Sequence, residues 1–208
     1  KEFNTLLIDG SNILELSSLG DKTVSSNCKQ TGGIFQFLLQ IKILLQKGNF
    51  RYVYVFWDGE NSGQYRYNLY PLYKGNRDKN FEEETLSDYL KEVNRRVKNM
   101  TNYFRKKQDP VKLAERRKQK EIFYWQREVI MSCLEELCIR QCIYDKIEAD
   151  DFISYYVTHK KPNERIVIVS NDRDLTQLIS DTVIVYVQSM KDFINKKNHT
   201  KIMGYNYK

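Results

Sequence analysis

The sequence predicts an α/β fold, a doubly wound and mostly parallel sheet flanked by helices. Two observations carry this. Thr5-Leu6-Leu7-Ile8, Tyr52-Val53-Tyr54-Val55-Phe56-Trp57 and Ile166-Val167-Ile168-Val169-Ser170 are apolar, rich in β-branched residues and of strand length. Unbroken runs of this kind suit strands buried on both faces, as in a parallel sheet. Each run is also followed by an acidic residue: Asp9 after the first, Asp58 after the second, Asp172 and Asp174 after the third.

Along the chain, Asp9-Gly10-Ser11-Asn12 reads as a turn, with Asn12 placed to assist a metal-bound water. Residues 17–31 are polar and turn-rich and read as a loop. Ile34 to Leu45 is apolar on most sides and predicts a largely buried helix, ended by Lys47-Gly48-Asn49. After Asp58-Gly59, the stretch Gln64 to Arg77 alternates tyrosines with Arg66, Lys74 and Arg77. Aromatic faces stack on bases and interleaved cations hold phosphates, so this stretch is expected to touch a nucleic acid.

Residues 81–100 predict a helix with Glu82, Glu83 and Glu84 in its first turn, where the helix dipole favours them. Asp109-Pro110 marks a turn. Residues 111–139 predict a second long helix, basic at first and then apolar. The pair reads as a hairpin whose basic tip projects and whose base docks on the core. Gln141 to Tyr144 predicts a short strand. Ile147-Glu148-Ala149-Asp150-Asp151 leads into a helix at Phe152 to Val157, and Glu148 and Asp151, three apart, share its face. Lys160 to Asn163 is a loop, Asp174 to Ile179 a helix and Thr182 to Val187 a further strand. The tail from Lys191 is weakly patterned.

Asp150 and Asp151 at a helix start have an ordinary explanation in the dipole. The other acidic points change the weighting. Open parallel sheets gather functional groups at the carboxyl ends of their strands. Asp9, Asp58, Asp172 and Asp174 would all arrive there, joined by Glu148, Asp150 and Asp151. Seven carboxylates on one edge repel unless a cation neutralises them. Oxygen ligands without histidine or cysteine suit a hard cation, so a site for two Mg2+ or Mn2+ ions is expected.

The chain has 208 residues and a formal charge of +7. Arg95 to Lys120 holds eleven basic and two acidic residues, so this stretch is more positive than the whole chain. One basic element on a near-neutral body implies a polyanionic partner, with nucleic acid foremost. The four cysteines form no CxxC pair, which argues against zinc; reduced thiols in or near the core are expected. No apolar run is long enough to span a membrane and no signal peptide is evident. An intracellular, monomeric protein is expected.

Four motifs in order, Leu6-Leu7-Ile8-Asp9-Gly10, Val55-Phe56-Trp57-Asp58-Gly59, Ile147-Glu148-Ala149-Asp150-Asp151 and Ser170-Asn171-Asp172-Arg173-Asp174-Leu175, resemble those of the structure-specific 5′ nucleases, the flap endonuclease/5′–3′ exonuclease family in its bacteriophage and bacterial form. Tyr70-Pro71-Leu72-Tyr73-Lys74-Gly75-Asn76-Arg77 is similar to that family's tyrosine-lysine-arginine signature. The likeness covers nearly the whole chain.

The resemblance implies a single PIN-like catalytic domain over 1–208, with residues 81–125 as a helical arch. It implies that Asp9, Asp58, Glu148 and Asp150 hold one metal ion, and that Asp151, Asp172 and Asp174 serve a second ion or its water shell. Lys74 and Arg77 would contact the scissile phosphate, and Tyr73 would stack on a nearby nucleotide. Arg66 and the arch residues Arg95, Arg96, Arg105, Lys106, Lys107, Arg116 and Arg117 would bind the nucleic acid. The implied substrate is DNA with a 5′ flap or 5′ end, extending to RNA–DNA hybrids. In the family, a Met-Gly-Tyr-like stretch leads into a helix–hairpin–helix region bearing two more metal-binding aspartates. Met203-Gly204-Tyr205 lies near the end of this chain, so that region is expected to be missing, and with it the grip on duplex DNA.

Two rivals stand beside this reading. A PIN-type ribonuclease would keep the fold, but such proteins lack a long basic arch. A non-catalytic nucleic-acid-binding module would bind DNA salt-sensitively without cutting it. A haloacid-dehalogenase-type phosphatase wants Asp-x-Asp after the first strand, whereas Gly10 and Ser11 follow Asp9 here.

Overall fold

The computed structural model describes residues 2–20, 23–24, 29–63, 66 and 110–204. The chain divides into two compact units, Lys1–Gly63 with Ile122–Lys208, and Gln64–Glu121. Of the second unit, the structure describes Arg66 and residues 110–121, the start of helix α3. The helix expected over 81–100, the hairpin tip, the Tyr70–Arg77 signature and Cys28 lie outside the described residues.

In chain order the elements are β1 (Thr5–Asp9), α1 (Gly10–Gly20), α2 (Gly32–Lys47), β2 (Tyr52–Trp57), α3 (Pro110–Glu136), β3 (Arg140–Ile143), α4 (Ala149–Thr158), β4 (Ile166–Val169), a 3-10 turn (Asp174–Leu178), β5 (Val183–Val187), β6 (Asp192–Ile194) and α5 (His199–Met203). The strands lie in the order β3-β2-β1-β4-β5-β6. Strands β1 to β5 run parallel, and β6 pairs antiparallel with β5. The winding reverses between β1 and β4. In open α/β sheets such a reversal leaves a crevice at the carboxyl ends of the strands.

Every residue of β1 and β4 is buried, as the apolar runs require. Alternation along a strand splits these residues between two layers. Leu6 and Ile8, with Val55, Trp57, Val167 and Val169, pack on Ile13 and Leu14 of α1, on Phe37, Ile41 and Leu44 of α2, and on Ile130 and Leu134 of α3. Leu7, Phe56, Ile166 and Ile168 face the other way, onto Ala149, Ile153 and Val157 of α4 and Leu175 and Ile179. Each fully buried side chain of this size contributes about 1.5–3 kcal/mol. These two layers therefore hold strands that are too short to persist alone.

Several expectations are corrected. Asp9-Gly10-Ser11-Asn12 is no turn: α1 begins at Gly10, directly after the strand. Helix α1 also occupies the first residues of the segment read as a loop over 17–31, and Val24 and Gln30 form an isolated bridge. Helix α2 buries one face only, through Phe37, Ile41 and Leu44, while Phe35 is 62% exposed. The tail is patterned after all, into β6 and α5. Its strand has three residues, too few for alternation to show. Cys138 is exposed at a left-handed turn after α3 (φ 56°), so it is not a core thiol; Cys133 and Cys142 are half-buried, and all three are free.

Candidate metal centre

The register of the sheet sets the site. Asp9 pairs with Phe56 of β2, and Ile8 pairs with Val169 of β4. Asp9 therefore ends its strand level with the exits of β2 and β4, where Asp58 and Ser170 follow. On the other side of β2, Trp57 pairs with Ile143 of β3, and the chain leaves β3 through a short turn to Glu148.

Asp9 sits at the switch point between β1 and β4. One carboxylate oxygen accepts the Asn12 backbone N–H (3.1 Å) and so caps α1. The other accepts the Ser170 hydroxyl (2.9 Å). Burial pushes the Asp9 carboxyl up to about 7, against the two hydrogen bonds and helped by the negative charges of Asp58 and Asp150. A carboxyl this disfavoured as an anion is one that a bound cation stabilises.

The Asp58 backbone N–H donates to Ser11 Oγ (2.9 Å), and its Oδ1 accepts the N–H of Ala149 at the head of α4 (2.8 Å). Glu148 is buried at the N-cap of α4. Its backbone N–H donates to Asp151 Oδ2 (3.4 Å). Glu148, Asp150 and Asp151 can each bring one oxygen within 4.8 Å of the others. The α4 dipole favours this negative charge.

The loop after β4 is tied in by serine and asparagine. The Asp172 backbone N–H donates to Ser170 Oγ (3.0 Å), the same hydroxyl that donates to Asp9. Asp172 Oδ1 accepts the Asp174 N–H (2.9 Å). Asn12 Oδ1 accepts the Asn171 backbone N–H (3.0 Å). That oxygen ties helix α1 to the loop after β4.

Glycine completes the frame. Gly59 donates its N–H to the Ile147 carbonyl (3.0 Å), and Lys146 donates to the Glu60 carbonyl (2.7 Å). A Cβ on Gly59 would run into the Tyr144 carbonyl oxygen. The loops bearing Asp58 and Glu148 thus lie backbone to backbone.

The structure therefore couples Asp9, Asp58 and Asp150 electrostatically, groups Glu148, Asp150 and Asp151, and links Asp172 to Asp9 through Ser170. Asp174 is exposed and reaches the cluster through Asp172. Arg66 is half-buried and Arg117 exposed. Arg116 lies within α3. Lys74, Arg77, Tyr73, Arg95, Arg96, Arg105, Lys106 and Lys107 fall outside the described residues. Sequence reasoning passed over Ser11 and Ser170 as actors, although Ser170 opens one of the motifs that mark the site and Ser11 directly follows another. Arg127, whose setting in Gln126-Arg127-Glu128 looks like any helix surface, donates its Nη1 to the Asp58 backbone carbonyl (3.3 Å). All donors in the cluster are carboxylate oxygens, so the residues present fit a hard divalent cation.

An open, mostly parallel sheet with carboxylates converging at its switch point defines a resolvase-like acidic-site fold. The family description "5′-3′ exonuclease, N-terminal resolvase-like domain" matches residues 4–204. The chain belongs to the 5′–3′ exonuclease family, through its N-terminal resolvase-like domain. Curated protein sequences give no match. Among solved structures, the chain is similar to the bacteriophage T5 5′-exonuclease with divalent zinc ions bound, at 17% identity and a TM-score of 0.67 over 98% of this chain and 62% of that one. It is likewise similar to a bacteriophage T5 flap endonuclease variant in a pseudo-enzyme–product complex with DNA and metal ions, at 16% identity and a TM-score of 0.65 over the same shares. The chain thus spans under two thirds of the length of these structures, and at this identity the likeness is one of fold.

Proposed function

We propose that this chain is the catalytic part of a divalent-metal-dependent 5′ nuclease, hydrolysing phosphodiester bonds in DNA that carries a 5′ flap or a free 5′ end, during replication or repair. The observation that carries the reading is the convergence of Asp9, Asp58 and the Glu148–Asp151 cluster on one crevice of a sheet. Membership of the 5′–3′ exonuclease family supports it. All these carboxylates come from a single chain, which suits a monomer.

Asp9, Asp58, Glu148 and Asp150 would hold a first Mg2+ or Mn2+ ion, and Asp151, Asp172 and Asp174 would serve a second or its water shell. When bound, such ions lower the pKa of a water and stabilise charge on the leaving oxygen. The protein's own work is to orient. Ser170 and Asn12 hold the two oxygens of Asp9. The Ala149 N–H aims Asp58. Lys74 and Arg77 would stabilise charge on the phosphate, Tyr73 would stack on a nucleotide, and the basic residues from Arg95 to Arg117 would guide the polyanion.

The test is a fluorescent 5′-flap DNA with Mg2+ or Mn2+. The protein should cut it to a product with a 5′-phosphate, and Asp58→Asn should slow cutting on the order of a thousandfold, the scale of several kcal/mol of lost charge stabilisation. An undiminished rate in Asp58→Asn refutes the site. An RNA–DNA hybrid in a parallel arm decides whether the substrate range extends to hybrids. Faster cutting of single-stranded RNA than of flap DNA would favour a PIN-type ribonuclease instead.

A further inference from the structure

Arg127 lies on α3 beside the exit of β2. Its Nη1 donates to the backbone carbonyl of Asp58 (3.3 Å). Its Nε is buried without a hydrogen-bond partner among the described residues. Its guanidinium lies 5.0 Å from the centre of the Tyr124 ring. Among the described residues no carboxylate lies within ion-pair distance of it. A half-buried guanidinium offers five donors in a planar fork, and here one goes to a main-chain oxygen at a candidate metal ligand.

The position is fixed from both sides. The neighbouring Gln126 is 1% exposed. Its Oε1 accepts the Ser18 hydroxyl (2.6 Å), and its Nε2 donates to the Gln30 carbonyl (2.7 Å). One turn further along α3, Gln141 Nε2 donates to the Met131 carbonyl (2.8 Å), while Gln141 Oε1 accepts the Trp57 indole N–H (3.0 Å). Helix α3 is thus pinned to α1 on one side and to β2 and β3 on the other. Arg127 stands at a set height over the strand end that delivers Asp58.

We infer that Arg127 is a substrate-positioning residue whose remaining guanidinium donors take a phosphate oxygen of the nucleic-acid strand entering the acidic crevice. The inference rests on the nuclease reading above and adds a contact to it. A cation beside carboxylates, yet paired with none of them, suits a ligand that brings its own negative charge. A planar fork held against an aromatic ring is preorganised for phosphate. A purely structural role would rest on the bond to the Asp58 carbonyl alone, and its loss would leave the salt slope of DNA binding unchanged.

The experiment compares Arg127→Gln and Arg127→Lys with the unmutated protein. Binding of a fluorescent 5′-flap DNA is measured by anisotropy with Ca2+ in place of Mg2+, across a salt series. Melting temperature and Mn2+ binding are measured alongside. Arg127→Gln should raise Kd about tenfold, the scale of one charge-assisted hydrogen bond. It should lower the slope of log K against log salt by about 0.7–0.9, as loss of one phosphate contact requires. Arg127→Lys should restore the slope. Melting temperature and Mn2+ affinity should be unchanged in both. If Arg127→Gln keeps the Kd and slope of the unmutated protein, or if both variants lose DNA binding together with melting temperature, the inference is overturned while the nuclease reading stands. If the unmutated protein itself neither binds nor cuts the flap, the nuclease reading fails and takes this inference with it.

Discussion

At the scale of single residues, the Ser170 hydroxyl joins two acidic positions, donating to Asp9 and accepting from the Asp172 backbone. Ser170→Ala would remove one of the bonds that favour the charged form of Asp9 and leave the Asp172 N–H without its acceptor. The expected result is a loss of about tenfold or more in Mn2+ affinity, the usual scale for groups that orient metal ligands, read by isothermal titration calorimetry. Glu164 gives a second expectation, at the amino end of β1. Burial works against its anion, but the Tyr156 and Thr5 hydroxyls (2.6 and 2.7 Å), the Lys161 N–H and the Lys160 charge outweigh it and hold the carboxyl below its ordinary value. A carboxyl lowered by folding adds stability above its unfolded pKa, and that stability disappears as pH falls through the folded pKa. Glu164→Gln should therefore melt lower than the unmutated protein at neutral pH, and the gap should close on acidification below the usual carboxylate range. A gap that persists at pH 2–3 would refute this.

At the scale of elements, Gly59 is where two loops meet. Any side chain there collides with the backbone of the β3–α4 turn. Gly59→Ala should cost about 2 kcal/mol or more, since overpacking against a main chain has no rotamer escape; chemical denaturation measures it. The elements also show what could be read in advance. Strands β1, β2 and β4 were legible because burial on both faces demands unbroken apolar runs, and each acidic site residue was legible because it stands at the end of such a run or at a helix head. The helix after Asp9 was not. Gly10, Ser11 and Asn12 are turn formers by composition, but Asp9 supplies the cap, and Gly10 is required because a Cβ there would lie 2.8 Å from Trp57 and Val55. Strand β6 was missed because its three residues are recruited by pairing with β5 rather than by any pattern of their own. The contact of Arg127 with the Asp58 carbonyl was not legible because it depends on what α3 packs against, which no local spacing reveals.

At the scale of the whole molecule, the acidic crevice opposes folding in the absence of cations, because like charges are brought together at one edge. A divalent ion that binds only the folded chain stabilises it by mass action, by about 2.7 kcal/mol at a concentration one hundred times its Kd. For a chain of this size that is an increase in melting temperature of about 5–11 °C. Calorimetry with Mn2+ and with a chelator should show it, and Asp9→Asn should diminish the response. An identical melting curve with and without Mn2+ would count against a metal centre.

The sheet ends on one side in β3, four residues long, and on the other in β6, three residues long and reversed in direction. Among the described residues, a foreign polypeptide seeking to extend this sheet would find few backbone donors and acceptors on either flank. Curtailed margins of this kind discourage intermolecular strand addition and fibril growth. The fold keeps a stretch as strand-prone as Ile166–Val169 between β1 and β5, away from either margin of the sheet.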